Sequence, residues 1–346
     1  MTDKEQTAAI CREIQGITQA VKQHFPFLRH QNLLGFSIFV ICIAAILFVA
    51  FAYTSGSLGS WVAILLIAFL TSFLHELEHD LIHQLYFKKQ PFLHNLMLFG
   101  VWIFRPLTLN PWMRRHLHYH HHRNSGTLSD IEERGVTNGD RWGLLRLFIM
   151  PDLILSGLLR SRTMRREIAE AYRQGLFSKQ EIQNLRRVSI FGFLPFGLPL
   201  HLIWYSFLLF YAFTGTMALF SVSFVAPQWL LQYINTITPL VVLLIAPNML
   251  RQFCLHFITS NLHYYGDVER GNIVQQTQVL NAWWTLPFQI FCFNFGSTHA
   301  IHHFVVHETF YIRQLTAASS HKVLLRYGVR FNDMGTFERA NRYHAH

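Results

Sequence analysis

Histidine is the residue type in this chain whose numbers and spacing could do chemistry. There are 21 of them among 346 residues, and the informative ones fall in four short motifs. The first is His75-Glu-Leu-Glu-His79, and His83 continues the same face. Side chains four residues apart are neighbours on one side of a helix, so His75 and His79 can grip one ion or reach two adjacent ones. The second motif, His116-Leu-His118-Tyr-His120-His121-His122, fits two registers: His118 with His121 and His122, or His116 with His120 and His121. The third, His299-Ala-Ile-His302-His303, has HxxHH spacing, and its agreement with His118, His121 and His122 favours that register. The fourth is a single residue, His263, in Asn261-Leu-His-Tyr-Tyr-Gly266. His307, four beyond His303, is a spare or a supporting group.

The elements that must position these motifs follow from the distribution of charge. Only 14% of the residues are charged, against about 25% in ordinary soluble domains. Residues 30–75 and 188–250 contain no Asp, Glu, Lys or Arg. A helix needs about 20 apolar residues to cross a bilayer, so each run holds two spans. They are expected over residues 33–52, from Trp61 into His75, over 188–213 with kinks at Pro195 and Pro199, and over 229–247. Uncharged links at residues 53–60 and 214–228 form the hairpin tips. Residues 92–104 and 286–295 are too short to span and read as re-entrant or interfacial segments, with Trp102, Trp112, Trp283 and Trp284 as interface anchors. Ile10, Ile14, Ile17 and Val21 recur with helical period and predict an amphipathic N-terminal helix.

Lysine and arginine concentrate in residues 83–187 and in the C-terminal tail, which places both ends and the long loop on the cytosolic side. The net charge of +10 is then a topology signal rather than a footprint for nucleic acid. The four cysteines are scattered and build no disulfide framework or iron–sulfur site. The polar N-terminus is not expected to act as a cleavable signal peptide.

All four histidine motifs fall on this cytosolic side, although spacing found the motifs and charge found the topology. Together they offer nine candidate ligands: His75, His79, His118, His121, His122, His263, His299, His302 and His303. A closed zinc site takes four ligands, so nine suit two ions. Imidazole alone does not choose among zinc, copper, iron and nickel. The setting does: a metal pair at the ends of lipid-embedded helices meets lipid chains, and attack on an unactivated C–H bond is chemistry that non-haem iron supplies and side chains cannot. Glu76, Asp80, Asn261 and Asp130 are expected to support the ligands by accepting their far N–H groups.

At these residues the chain resembles the membrane fatty acid desaturase superfamily. Its three histidine boxes read here as HELEH (75–79), HYHHH (118–122) and HAIHH (299–303), and its extra ligand between the second and third boxes corresponds to His263. The resemblance covers roughly residues 60–310. It implies an all-α integral membrane protein with four transmembrane helices in two hairpins and a cytosolic helical cap. It also implies two iron ions, O2 as co-substrate, a fatty acyl substrate, and a separate electron donor of the ferredoxin, rubredoxin or cytochrome b5 type with its reductase. Glu76, Asn261 and Asp130 are the residues expected beside the chemistry. The superfamily includes desaturases, hydroxylases and decarboxylases that form 1-alkenes, so desaturase-type C–H oxidation is the first expectation and the other two reactions are alternatives. The segment after the second box, residues 125–134, departs from the common desaturase continuation.

The expected partition is an N-terminal segment (1–30), a membrane catalytic domain (31–310) and a basic tail (311–346), in a bacterial inner membrane. Arg114, Arg115 and Arg123 are expected to face anionic lipid, with a carboxylate or acyl-carrier head group as the other role. Two rivals remain. HELEH is also an HExxH zinc-protease motif, in which the Glu acts as base, but that leaves seven histidines unexplained. A metal transporter would need polar or ionisable residues near the bilayer midplane; spans one, three and four carry no charged residue, and His201, toward the cytosolic half of span three, is the only ionisable histidine within that span.

Overall fold

The computed structural model describes residues 2–344; Ala345 and His346, the end of the expected basic tail, lie outside the described residues. Within them the chain is helical, with two isolated bridge pairs, His263 with Thr277 and Val279 with Phe331, and no strand. It begins with α1 (Asp3–His24), whose N-terminus is closed by a reciprocal pair of hydrogen bonds between Thr2 and Glu5.

The membrane part starts with a hairpin of α2 (Gln31–Thr54) and α3 (Ser60–Ile82). Both are free of Pro, and α2 carries no charge. The turn between them uses Gly56 at φ +78°. The two helices pack around Phe39, Cys42, Ile46, Ile67 and Leu74. α4 (Pro91–Phe104) is apolar but too short to cross and lies against this hairpin: a Cβ at Gly100 would stand 2.5 Å from the Phe39 ring.

A cap follows. α5 (Pro111–Asn124), α6 (Ile131–Gly135), α7 (Leu144–Ile149), α8 (Leu153–Leu159), α9 (Ser161–Arg173) and α10 (Lys179–Phe191) are amphipathic or short. Leu144, Leu145, Phe148, Leu158, Leu159 and Ile190 are exposed. Such an apolar surface belongs against the interfacial layer of a bilayer.

The second hairpin is α11 (Gly197–Leu219) with the long element formed by α12 (Gln228–Leu240), one π-helical turn (Val241–Ile245) and α13 (Ala246–Leu262). The expected third span began at residue 188. The chain instead breaks at residues 192–196, so Val188 belongs to α10 and the span starts at Gly197. The helix then continues past Thr214, and the link shortens to residues 220–227. The fourth span is also longer than expected. It runs over Gln228–Leu262, about 52 Å at 1.5 Å per residue against a hydrocarbon core of about 30 Å. Its last turns therefore leave the bilayer and carry His263 to the cap. Pro239 lies inside it, where its ring lacks the N–H of a regular helical turn, and the wide π turn starts two residues later. Trp61 and Trp229 are exposed at the outer ends of α3 and α12, where interface tryptophans belong.

The remainder, α14 (Ile273–Gln276), α15 (Leu286–Ile290), α16 (Phe295–Phe304) and α17 (Phe310–Arg326), covers the cap. The apolar stretch 286–295 is a short helix and a tight turn, with Asn294 in the left-handed region at φ 56°, a conformation that Asn tolerates. Ile10 and Ile14 of α1 are buried with Ala300, Ile301, Val323 and Leu324, so the N-terminal helix clasps the helices of the third histidine motif.

Candidate metal centre

Each histidine motif sits at or near the C-terminal end of a helix. α3 supplies His75 and His79, and His83 caps it. α5 supplies His118, His121 and His122, His263 caps α13, and α16 supplies His299, His302 and His303. The side chains converge into two groups: His79, His83, His118, His122 and His302, and beside it His121, His263, His299 and His303. Within each group the donor atoms lie within 4.8 Å of one another.

The helical period explains how HxxHH motifs divide. Positions i and i+4 share one side and i+3 lies on the other flank. Thus His118 and His122 enter the first group and His121 the second, while His299 and His303 enter the second and His302 the first. His79 bridges the groups, its ring 4.3 Å from that of His302 and 5.6 Å from that of His299.

The Nε2 atoms form closed rings. His83 to His118 is 2.9 Å, His118 to His122 3.2 Å, His122 to His302 3.0 Å and His302 to His83 3.1 Å. In the second group, His263 to His299 is 3.1 Å, His299 to His303 3.2 Å and His263 to His303 3.4 Å. Nitrogens about 2.1 Å from a common cation, the usual imidazole–zinc distance, stand roughly 3.0–3.4 Å from one another. These edges match.

The far nitrogens fix the tautomers. His118 Nδ1 donates to Glu132 at 2.9 Å, His121 Nδ1 to Asp130 at 2.8 Å and His303 Nδ1 to Gln276 Oε1 at 3.2 Å. His263 Nδ1 donates to the Thr259 carbonyl at 3.2 Å and stands 3.3 Å from Glu133. With their protons committed there, these rings present Nε2 lone pairs to one another, and both nitrogens of buried His79 have no partner among the described residues. Lone pairs converging at 3 Å repel unless a cation lies between them, so the donor set fits two metal ions. His302 differs: its Nδ1 faces a donor, Arg313 Nη1 at 2.8 Å, rather than a carboxylate or carbonyl oxygen.

Electrostatics favour the ligand form. Burial, then neighbouring imidazoles, hold His118, His122, His299 and His303 well below the usual histidine range. Burial pulls His83 down to about 2. His121 goes the other way. Burial lowers it, but the charge and hydrogen bond of Asp130 outweigh burial and raise it to about 9. Glu133 is pushed well up by burial despite His121.

Of the nine residues singled out by spacing, eight enter these groups. His75 does not. It stands one turn before His79, its Nδ1 3.1 Å from Arg105 Nη2, and His83 takes the place in the first group. The stretch His75-Glu-Leu-Glu-His79-Asp-Leu-Ile-His83 contains two overlapping pairs of identical spacing, so periodicity could not choose between them. Depth was the available signal, because His83 lies one turn nearer the other motifs. His116 and His120 remain outside both groups, and His120 Nδ1 instead meets Glu181 at 3.0 Å. His307 is exposed.

The supporting carboxylates also divide. Asp130 reaches His121 directly and receives the Gly126 N–H at 3.1 Å. Gly126 has φ +78°, and a Cβ there would stand 2.7 Å from Val268, so only glycine makes this turn. Glu76 and Asp80 reach the first group indirectly: Arg313 of α17 bonds both, at 3.1 and 3.2 Å, and also His302. Asp80 further accepts from Tyr86 Oη and the Phe310 N–H, both at 2.9 Å. Asn261 donates to the Phe257 carbonyl at 2.6 Å and its side chain hydrogen-bonds no histidine of either group among the described residues. Glu132, Glu133, Gln276 and Arg313 were not marked by sequence, because nothing local to them carries a histidine pattern.

A cavity of about 540 Å³ opens between the cap and the second hairpin. Its rim is apolar, with Ile154, Leu158, Ile190, Leu194 and Leu198. Its inner end is polar, formed by His75, Arg105, Arg114, Arg251, Gln252 and His256. Arg114 thus points inward rather than to lipid, bonding Glu78 at 2.8 Å and Glu132 at 3.1 Å. Arg115 meets His94 at 2.8 Å, and Arg123 is exposed.

Residues 55–334 match the fatty acid desaturase family. With most of the chain matched, four helices able to cross a membrane and two histidine groups, the protein belongs to that family of integral membrane oxidoreductases. No curated protein and no solved structure matches it.

Proposed function

We propose that this chain is a membrane-bound, O2-dependent non-haem di-iron oxidoreductase that oxidises C–H bonds of a fatty acyl chain in the manner of a desaturase. One iron is held by the group containing His83 and the other by the group containing His263. The observation that carries this is the pair of closed Nε2 rings, with far nitrogens tied to Glu132, Asp130, Gln276 and the Thr259 carbonyl. Irons at these positions supply reductive activation of O2 and removal of hydrogen from an unactivated carbon. Desaturation takes two electrons and two protons from the chain. Two more electrons come from a separate donor protein and two more protons from solvent, and O2 leaves as two waters.

The chain's own residues do the rest. Asp130 and Glu132 orient imidazoles and raise their basicity as ligands. Arg313 neutralises Glu76 and Asp80 and fixes His302. The apolar cavity takes the acyl chain and excludes water. The basic cap offers a docking face for an acidic electron donor, since complementary charge raises the encounter rate.

The zinc-protease reading requires His75 and His79 on one ion with Glu76 free as base. In the structure His75 is apart and Glu76 is paired with Arg313, which weighs against it. Oxidation next to the carboxyl group, by hydroxylation or by decarboxylation to a 1-alkene, is a second reading favoured by the cationic inner end of the cavity. Metal analysis of the purified protein tests the proposal: about two irons per chain are expected, together with O2- and donor-dependent products from fed fatty acids. One zinc and no iron would overturn it.

A further inference from the structure

Arg251 lies on α13 at the inner end of the cavity. It is fully buried, at 0% exposure, and none of Nε, Nη1 and Nη2 has a hydrogen-bond partner among the described residues. Its surroundings do not balance it. Arg105 and Arg114 share Glu78, and Arg114 also takes Glu132; Arg251 forms no ion pair with a described carboxylate. An unpaired charge in such a place is strongly unfavourable unless a ligand balances it.

The donors around it are also unsatisfied. Gln252, buried beside it, has both amide atoms without partners, as does Arg105 at Nε. His75 accepts from Arg105 at Nδ1, so its neutral ring carries its proton at Nε2, and that atom too has no partner. Four side chains from α3, the α4–α5 link and α13 thus direct spare donors into one end of a cavity whose other end is apolar.

We propose that Arg251, with Arg105, Gln252 and His75, forms a carboxylate clamp, and that the substrate enters as a free fatty acid, carboxyl group first, with its chain trailing past Ile154 and Leu158 to the rim. Planar guanidinium groups match carboxylates in bidentate geometry, and the cavity volume falls within the range of about 300–1,000 Å³ typical of small-molecule sites. A thioester has no carboxylate to offer, and its bulky carrier cannot fit the buried end. This rests on the acyl-oxidase reading above and deepens it, because the clamp adjoins the metal centre. His75 is one turn, about 5.4 Å, from His79. The Phe295 ring lies 5.5 Å from that of His75 and 4.2 Å from that of His299. Head-first binding therefore places the carboxyl end of the chain at the end of the cavity that adjoins the histidine groups. His75 has a place in this scheme as a donor to substrate rather than to metal.

The test is ligand binding by the full chain in lipid nanodiscs, read by calorimetry with dodecanoic acid, methyl dodecanoate and dodecyl phosphate, alongside metal analysis of each preparation. The wild type is expected to bind the acid at least tenfold more tightly than the ester and more tightly than the phosphate. Arg251→Gln should bring acid and ester to within about twofold while keeping the wild-type metal content, and Arg251→Lys should keep part of the preference. Equal binding of acid and ester by the wild type, tighter binding of the phosphate, or an unchanged preference in Arg251→Gln would each overturn the clamp. Should Arg251→Gln fail to fold, the wild-type comparison and Arg251→Lys decide the matter. A preparation with one zinc and an intact acid preference would sink the di-iron reading and leave the clamp standing.

Discussion

Replacing His83 and His75 separately sets the geometry of the centre against the spacing of the sequence. His83 Nε2 stands 2.9 Å from His118 Nε2 and 3.1 Å from His302 Nε2, so it is one donor of a group of five. Structural zinc bound by four protein ligands gains about 10–16 kcal/mol, roughly 3 kcal/mol for each. At about 1.4 kcal/mol per tenfold, losing one imidazole weakens the site by about 100-fold. On the di-iron proposal, His83→Ala should therefore hold one of the two irons about 100-fold more weakly, seen as the early loss of one iron per chain during dialysis against graded chelator. His75→Ala removes an acceptor for Arg105 and should leave the iron titration unchanged. If His75→Ala loses an iron while His83→Ala keeps both, the assignment drawn from the closed rings is wrong and HELEH is the ligand pair.

Two further outcomes follow from contacts behind the ligands. Asp130→Asn keeps one acceptor oxygen, which can face His121 and the Gly126 N–H or the Glu133 N–H but not both sides, and removes the charge beside His121. The second iron should be held about tenfold more weakly, the lower end for loss of a ligand's hydrogen-bond partner, and an unchanged chelator titration would refute that role. Arg313→Met leaves Glu76 and Asp80 buried without a cation, which should cost about 3–5 kcal/mol in detergent-solubilised unfolding. Adding Glu76→Gln and Asp80→Asn should recover part of that loss, and a cost under about 1 kcal/mol would show that the ion pairs hold little together.

The spans and the overall architecture were legible because lipid imposes a coarse rule: long uncharged runs must be helices. Boundaries were less so. The break at residues 192–196 cuts an apolar run, and Pro195 inside it reads equally well as a kink within one span or as the boundary between α10 and the span. The histidine motifs were legible as spacing, which finds faces of helices but not which of two overlapping pairs turns inward: spacing named His75, whereas the converging group contains His83. The clamp was not legible at all. Arg105 and Arg251 come from distant parts of the chain, and each alone looks like a residue at the membrane boundary. Arg313, read as part of a basic tail, is buried at 2% exposure because three acceptors from α3 and α16 surround it.

The apolar rim of the cavity bears on how the reaction would run in time. Leu198, in the first turn of a membrane-spanning helix, and Ile190, on the exposed face of α10, put the entrance within the lipid surface rather than above it. A fatty acid reaches such an entrance by lateral diffusion in two dimensions. The governing quantity is then its mole fraction among lipids, not its concentration in water. Each added methylene raises partition into the bilayer by about 0.8 kcal/mol, so longer chains would look like better substrates in a dilute aqueous assay even where the site treats them alike. Diluting the surface with inert lipid would slow turnover at constant total substrate. Chain-length preference in this protein is therefore a property of the protein and its membrane together.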